Sequence, residues 1–366
     1  MCAKETGYFK ALDGGSSFEA EILFVKKLII FDHRSQSLHM ILKSDLKSAA
    51  QERTRLKQIL KVCQTQASRV LPTPTPAPAQ LPLKPVLGKQ NFIKAVRKIK
   101  DHIKDGDIFQ AVLAERFECE IQADALSVFS CLRKLSSSSA YSFYFNFEHS
   151  RFFGASPEML IKIEDEKIET HPIAGTYARG SSIQQDQEHE RQLLGSVKES
   201  AEHLMLVDLA RNDLGRVCEP GTVKVKAFRQ IMRLTHIMHI ISKVEGKLNA
   251  KYSELDALKA CFPAGTLSGA PKIRAIEILA QLEEYPRGLY GGAVVAFDFA
   301  GGLDSCIAIR AIEMSNGKAI LRAGAGIVAD SDPVSEYQEV QNKLKTVYQA
   351  LGIAEAEAQY RSEAAG

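Results

Sequence analysis

Charge of one sign is what this 366-residue sequence lacks: 47 Lys and Arg stand against 44 Asp and Glu, a net charge of +3. With no dense basic stripe, that balance excludes an electrostatic nucleic-acid binder as the default reading. Apolar runs are also short, below the roughly eighteen residues that a bilayer-spanning helix needs. Residues 1–17 hold no apolar run of the length a secretory signal requires. The seven cysteines (Cys2, Cys63, Cys119, Cys131, Cys218, Cys261 and Cys306) form no CxxC and no Cys/His cluster. An odd, unpatterned set reads as reduced thiols and excludes a disulfide framework or a zinc site. The expectation is a cytoplasmic protein without nucleic-acid or membrane partners.

What remains is an ordinary globular composition, 45% apolar and 25% charged, long enough for two domains or one large one. Pro72, Pro74, Pro76, Pro78, Pro82 and Pro85 are six of the thirteen prolines. Such a run forms neither helix nor interior strand and predicts an extended linker. Before it, 26–33 and 38–43 read as strands and 46–63 as a helix. After it, Phe92, Ile93, Val96, Ile99 and Ile103 recur at helical spacing up to Gly106. Strands are expected at 109–117, 141–147, 159–163, 223–228 and 237–248, with a long helix at 188–213 and another at 271–282. Gly301-Gly302 joins 293–299 to 305–314, and Asn316-Gly317 leads into 318–328; both dipeptides are hairpin signals. Consecutive hairpins imply antiparallel sheets with helices packed outside, an α+β class.

Two pairs of acids stand out. Glu199 and Glu202 sit three apart in Lys198-Glu-Ser-Ala-Glu-His203, and Glu336 and Glu339 sit three apart in Ser335-Glu-Tyr-Gln-Glu-Val340. That spacing puts both members of each pair on one helix face. If the faces meet, the carboxylates need a cation, and an all-oxygen set suits Mg²⁺. The alternative is two solvated helix faces. Pro172-Ile-Ala-Gly-Thr176, the stretch from Pro263 to Pro271, and Arg322-Ala-Gly-Ala-Gly326 are glycine-rich segments whose N–H groups suit an anion, or are simple turns. None is a Walker A loop or a dinucleotide fingerprint. Arg310, expected mid-strand among apolar residues, is either an internal ion pair or a carboxylate receptor. His239, in an apolar run, is a hydrogen-bonded core histidine or a catalyst.

Four segments taken together resemble the chorismate-utilising enzymes. They are His171-Pro-Ile-Ala-Gly-Thr-Tyr-Ala-Arg-Gly180, Lys198-Glu-Ser-Ala-Glu-His203, Val207-Asp-Leu-Ala-Arg-Asn-Asp-Leu-Gly-Arg216 and Thr266-Leu-Ser-Gly-Ala-Pro-Lys272. The resemblance runs from about Gln90 to Leu351, and within the family it is to anthranilate synthase large subunits. Ala174 stands where aminodeoxychorismate synthases carry a nucleophilic Lys. Gln110 stands where salicylate and isochorismate synthases carry a Lys that activates water; a neutral Gln favours ammonia. The absence of tryptophan from the sequence accords with an enzyme needed when tryptophan is scarce.

The resemblance implies a large two-sheet antiparallel sandwich with a cleft between the sheets. It implies Mg²⁺ on Glu202 and Glu339, with Glu199 and Glu336 as outer partners. Arg310 and Tyr290 would hold the enolpyruvyl carboxylate. Gly175, Thr176, Thr266, Gly324, Ala325, Gly326 and Lys343 would line the substrate. Glu158 would be the acid for the departing C4 hydroxyl, and His239 would serve the later elimination. The implied reaction turns chorismate and ammonia into anthranilate and pyruvate, for tryptophan biosynthesis. With no glutaminase motif here, ammonia would come from a separate glutamine amidotransferase subunit, component II. The rivals are an aminodeoxychorismate synthase component I and a non-catalytic chorismate-binding remnant.

The expected organisation is a shortened N-terminal region at 1–71 packing on the main body, a linker at 72–88, a catalytic domain at 89–352 and a tail at 353–366. Family members begin with a longer N-terminal region, whereas this chain enters near Gly7-Tyr-Phe9. Ser137–Ser142 replaces the family's Asn-Pro-x-Pro-Tyr-Met stretch. Both departures predict weak tryptophan feedback.

Overall fold

A computed structural model describes residues 20–42, 46–67, 77–234 and 237–365. The chain divides into two compact units. In the first, β1 (Lys27–Asp32) and β2 (Ser37–Leu42) form a hairpin paired from Lys27↔Leu42 to Asp32↔Ser37. Asp32 accepts the N–H of Arg34 at 2.8 Å and so shapes the turn. Helix α1 (Leu46–Ala67) follows, tied to the hairpin by a 2.7 Å Lys27–Glu52 ion pair.

The second unit opens with β3 (Lys84–Pro85), α2 (Lys89–Lys104), β4 (Gln110–Glu120) and α3 (Ala125–Leu135). Next come β5 (Tyr141–Asn146), β6 (Arg151–Ser156), β7 (Met159–Glu164), β8 (Lys167–Thr170) and β9 (Ile173–Ala178). The middle holds α4 (Ile183–Gly195), α5 (Val197–Gly215), β10 (Lys224–Arg233), β11 (Ile237–Lys247) and α6 (Glu254–Cys261). A 3-10 turn at Gly265–Leu267 leads to β12 (Gly269–Ala270) and α7 (Lys272–Leu282). The chain ends with β13 (Ala293–Phe297), β14 (Leu303–Ile307), β15 (Ala311–Ser315), β16 (Lys318–Ile327) and α8 (Pro333–Ala365).

Two seven-stranded antiparallel sheets result. One runs β12-β4-β16-β15-β6-β5 with β3 beside β4; the other runs β10-β11-β8-β7-β14-β13 with β9 beside β11. On the first sheet's outer face, Phe92, Val96, Leu113, Leu132, Ile278 and Val340 form one core with α2, α3, α7 and α8. On the second, Ile161, Ile168, Val207, Leu214 and Val244 pack with α5 and α6. Ala114 meets Leu160, Tyr290 and Ile307, and Phe143 and Phe152 meet Cys306 and Ala308, so the sheets face each other across apolar contacts. Strand β4 is buried from Gln110 through Glu115 because it has protein on both faces. The antiparallel two-sheet expectation holds.

Three expectations give way. The long helix at 188–213 is two helices. Ser196, extended at φ −67 and ψ 118, ends α4 and caps α5 by accepting Glu199 N–H at 3.3 Å. The tail at 353–366 is the last third of α8 through Ala365. It is held because buried Glu355 accepts the N–H groups of Gln122 and Ala123 at 2.9 Å each. The linker is no free spacer over 77–88. Ala79 N–H bonds Gly352 O at 2.9 Å, and Glu115 receives Leu87 and Gly88 N–H at 3.0 and 2.9 Å. Residues 72–76 and 1–19 lie outside the described residues.

Candidate active site

The chain crosses between the sheets at two places that bear directly on the site. From β6 in one sheet it passes through Pro157-Glu158 to β7 in the other; from β14 it returns through 308–310 to β15. The crossings are bonded to each other: Ile307 N–H donates to Glu158 O at 3.0 Å, and Ala155 N–H to Arg310 O at 3.1 Å. Arg310 is therefore not mid-strand. It occupies the left-handed region at φ 51, because the chain must change sheets there. A non-glycine residue in that region costs about 1 kcal/mol or more and persists only where its surroundings hold it.

Glu158 is recessed among protein atoms, and burial pushes its carboxyl up to about 7, against the smaller opposing pulls of Thr266 and Lys343. Thr266 stands in the 3-10 turn, its hydroxyl oxygen buried. Burial also raises the Tyr290 phenol to about 12, so it remains a donor at neutral pH. Arg310 is lowered by burial and sustained by Tyr290 and Glu339, and its guanidinium donates to the backbone oxygen of Lys343. Lys343 Nζ bonds Gly324 O at 2.9 Å and pairs with Glu339 at 3.2 Å, one turn back on α8. Thus Glu158, Tyr290, Arg310, Lys343 and Glu339 form one electrostatic neighbourhood.

The second wall comes from β9, β11 and α5. His239 Nδ1–H donates to Gly175 O at 2.9 Å. Burial, followed by Arg310, outweighs that bond and holds the imidazole below its usual pKa. It is neutral at pH 7, with Nε2 as its basic nitrogen. Thr176 pairs with His239 across the strands. Gly175 takes φ +66, and a Cβ there would stand 2.9 Å from Glu199 Oε2, so α5's first acid lies over this strand. On β16, a Cβ at Gly326 would collide with Gln110 Nε2 and stand 3.9 Å from Glu202 Oε1. One at Gly324 would meet the Tyr290 hydroxyl at 3.0 Å. Ala325 alternates to the other face and packs in the helix-side core, leaving only its main chain for a ligand.

Gln110 is 3% exposed and its Oε1 has no hydrogen-bond partner. A buried bare amide oxygen costs about 1–3 kcal/mol unless something arrives to use it. A cleft of about 450 Å³, counting its open mouth, is lined by Glu158, Thr170, His171, Leu209, Asp213 and Thr266. Asp213 is tied there to Lys272 at 2.8 Å, which joins the third and fourth sequence motifs. Sequence patterns give no hint of Arg287, which is half-buried beside the Tyr290 ring. It bonds Glu283 and the carbonyls of Val112 and Leu267, all within 2.7 Å.

Among the described residues no group of three or more His, Cys, Asp and Glu forms a metal cluster. The carboxylates do suit a Mg²⁺ ion that keeps water and substrate oxygens, because such an ion needs only one or two of them. Glu202, whose Oε1 approaches Gly326, and Glu339, half exposed on α8, supply hard oxygen donors of that kind.

Comparison with known proteins points the same way. Anthranilate synthase component 1 of Acetivibrio thermocellus is 40% identical over 342 residues, which is 91% of this chain and 69% of that protein. The Bacillus subtilis protein of the same name is 48% identical over 267 residues, 73% of this chain and 52% of its own length. The chain thus spans about half to two thirds of these relatives. The crystal structure of anthranilate synthase component I from Streptococcus pneumoniae superposes with a TM-score of 0.78 at 36% identity, covering 88% of this chain and 72% of that one. The profile of the chorismate binding enzymes matches residues 3–349, and the chain belongs to that family.

Proposed function

We propose that this chain converts chorismate and ammonia into anthranilate and pyruvate, as a component I of anthranilate synthase acting in the cytoplasm. The observation that carries the reading is the neighbourhood of Glu158 with Arg310, Tyr290 and Lys343: a carboxyl near pKa 7 beside groups that bind carboxylates. Chorismate is a dicarboxylate with a poor leaving group at C4, so it asks for both.

Arg310 and Tyr290 receive the enolpyruvyl carboxylate, Arg through a charged fork and Tyr through its hydroxyl. Lys343 and the main chain of Gly175, Thr176, Gly324, Ala325 and Gly326 line the rest, with Thr266 facing Glu158. Ammonia adds at C2 while the C4–O bond breaks, and Glu158 gives its proton to the departing hydroxyl, which leaves as water. Gln110 suits this nucleophile, because its bare amide oxygen accepts an N–H bond but cannot deprotonate water. The C2 proton and the C3–O bond are then lost. His239 Nε2 is the base this reading assigns to that step, and the released enolpyruvate takes up a proton to become pyruvate. Aromatisation drives the elimination, so positioning suffices. Glu202 and Glu339, with Glu199 and Glu336 outside them, would hold Mg²⁺, whose charge would neutralise the acids and the ring carboxylate.

Ala174, buried on β9, offers no nucleophile, which disfavours an aminodeoxychorismate synthase. Glutamine use would require a separate amidotransferase subunit. Purified protein with chorismate, Mg²⁺ and ammonium should yield anthranilate and pyruvate. Aminodeoxychorismate or salicylate as product overturns the assignment, and chorismate binding without turnover supports the remnant.

A further inference from the structure

Strand β10 pairs irregularly with β11: the register shifts between Val225 and Ala227 and again between Ala227 and Gln230. Arg229 stands in the second shift at φ 53. A bulge takes a residue's N–H out of the ladder and re-aims its side chain. Here the N–H goes to Ser242 Oγ at 3.0 Å, and the same oxygen pairs with His203 Nε2 at 2.6 Å. Both Ser242 and His203 are buried. The guanidinium points to the helices instead. Its Nη2 donates to Ser200 Oγ at 2.6 Å and to Leu194 O, at the end of α4. Ser200 Oγ in turn donates to Ser196 O at 2.6 Å, where α4 gives way to α5.

Arg229 therefore reaches α5 at two points three residues apart, directly through Ser200 and through Ser242 to His203. These follow Glu199 and Glu202 by one residue each, about 100° around the helix. Fixing one pair fixes the rotation of the other. Apolar packing does little of this at the start of α5, where Val197 is 83% and Leu204 56% exposed. A roll of about 20° at a radius of roughly 6 Å swings a carboxylate by about 2 Å, whereas a working site tolerates about 0.5 Å.

We infer that Arg229 is a positioning residue that sets the roll of α5 and so the aim of Glu199 towards Gly175 and of Glu202 towards Gly326. The role of those acids rests on the function proposed above; the clamp itself is a property of the fold. The test compares Arg229→Met, which removes the guanidinium donors to Ser200 and Leu194 but keeps the backbone N–H on Ser242, with Arg229→Lys, which restores one side-chain donor. Amide exchange is read across 197–204 in ligand-free protein, and Mn²⁺ affinity is read by electron paramagnetic resonance without turnover. In the Met variant exchange across 197–204 rises about tenfold while α7 and α8 keep wild-type rates, and the Mn²⁺ dissociation constant rises about tenfold. The Lys variant recovers part of both, and Arg229→Met adds nothing to Mn²⁺ affinity in a Glu202→Ala background. Unchanged exchange across 197–204 overturns the clamp, as does faster exchange spread evenly over the chain with no rescue by Lys. Should the Met variant fail to fold, Ser200→Ala removes the same acceptor and carries the same expectation. Wild-type protein that makes no anthranilate counts against the functional reading alone, because the exchange experiment needs no reaction.

Discussion

The two sheet crossings and the two glutamate-bearing helices hold their charged groups by different means. At the crossings, Glu158 and Arg310 are gripped by backbone bonds between the crossings themselves, and burial moves the pKa of both. On the helices, Glu339 is 51% exposed, and its ion pair with Lys343 is an ordinary i,i+4 contact. The crossings are organised before any ligand arrives, at a cost in desolvation and backbone strain. Glu339 is half exposed, so solvent screens its charge. The crossings carry a stability cost in burial and backbone strain, whereas the exposed Glu339–Lys343 pair contributes little to the fold.

Removing the helix acids should therefore show the largest loss of function with the least loss of fold. Glu202→Ala or Glu339→Ala should each lower Mg²⁺-dependent turnover by about 10³-fold. Thermal melts without metal should match or exceed wild type, since removing one acid relieves repulsion. Wild-type activity in both variants would reduce these acids to a solvated face.

Glu158→Gln sharpens the other half of the contrast. Loss of the general acid should cost about 10²–10⁴ in kcat. Folded Glu158 holds its proton up to about pH 7, whereas the unfolded group releases it near 4.5. Between those values the folded state binds more protons, so wild-type stability falls as pH rises across the window. The Gln variant lacks that penalty, so its melting temperature should exceed wild type by on the order of 2–4 °C at pH 8 and match it at pH 4. Wild-type kcat/KM should decline above about pH 7, and an unchanged rate through pH 9 would remove Glu158 from the chemistry.

Smaller effects test the grip on substrate and the outer acids. Arg310→Lys keeps a cation but loses the planar fork, and the KM for chorismate should rise by roughly 10–100-fold with a lesser change in kcat. Glu336→Gln, on the outer side of the α8 pair, should raise the Mg²⁺ concentration for half-maximal rate by about 10-fold. A loss as large as that of Glu339→Ala would make the two acids equivalent.

Much of this was legible before the structure. The hairpin dipeptides announced antiparallel sheets, and the spacing of Glu199 with Glu202 and of Glu336 with Glu339 put each pair on one helix face. Local rules operate within a few residues, so they carry such patterns well. They fail where distant parts of the chain decide. An unbroken strand at 305–314 is what the apolar alternation predicts, yet the chain turns at Arg310 because β14 and β15 belong to different sheets. Gly195-Ser-Val-Lys-Glu199 is a local stop-and-cap signature for the joint between α4 and α5, but no local signal marks Arg229 as the residue that spans it.

By itself the sequence determined the α+β class, the antiparallel pairing and the residue types able to bind a dicarboxylate and move protons. Tertiary structure alone decided that Glu158 stands near pKa 7, that Gln110 is buried with its Oε1 unpartnered and its Nε2 turned to Gly326, and that residues 353–365 complete a core helix. Hydrogen-bond periodicity is written in neighbouring residues. Desolvation and register between strands are set by what packs against a group, and those neighbours lie up to hundreds of residues away.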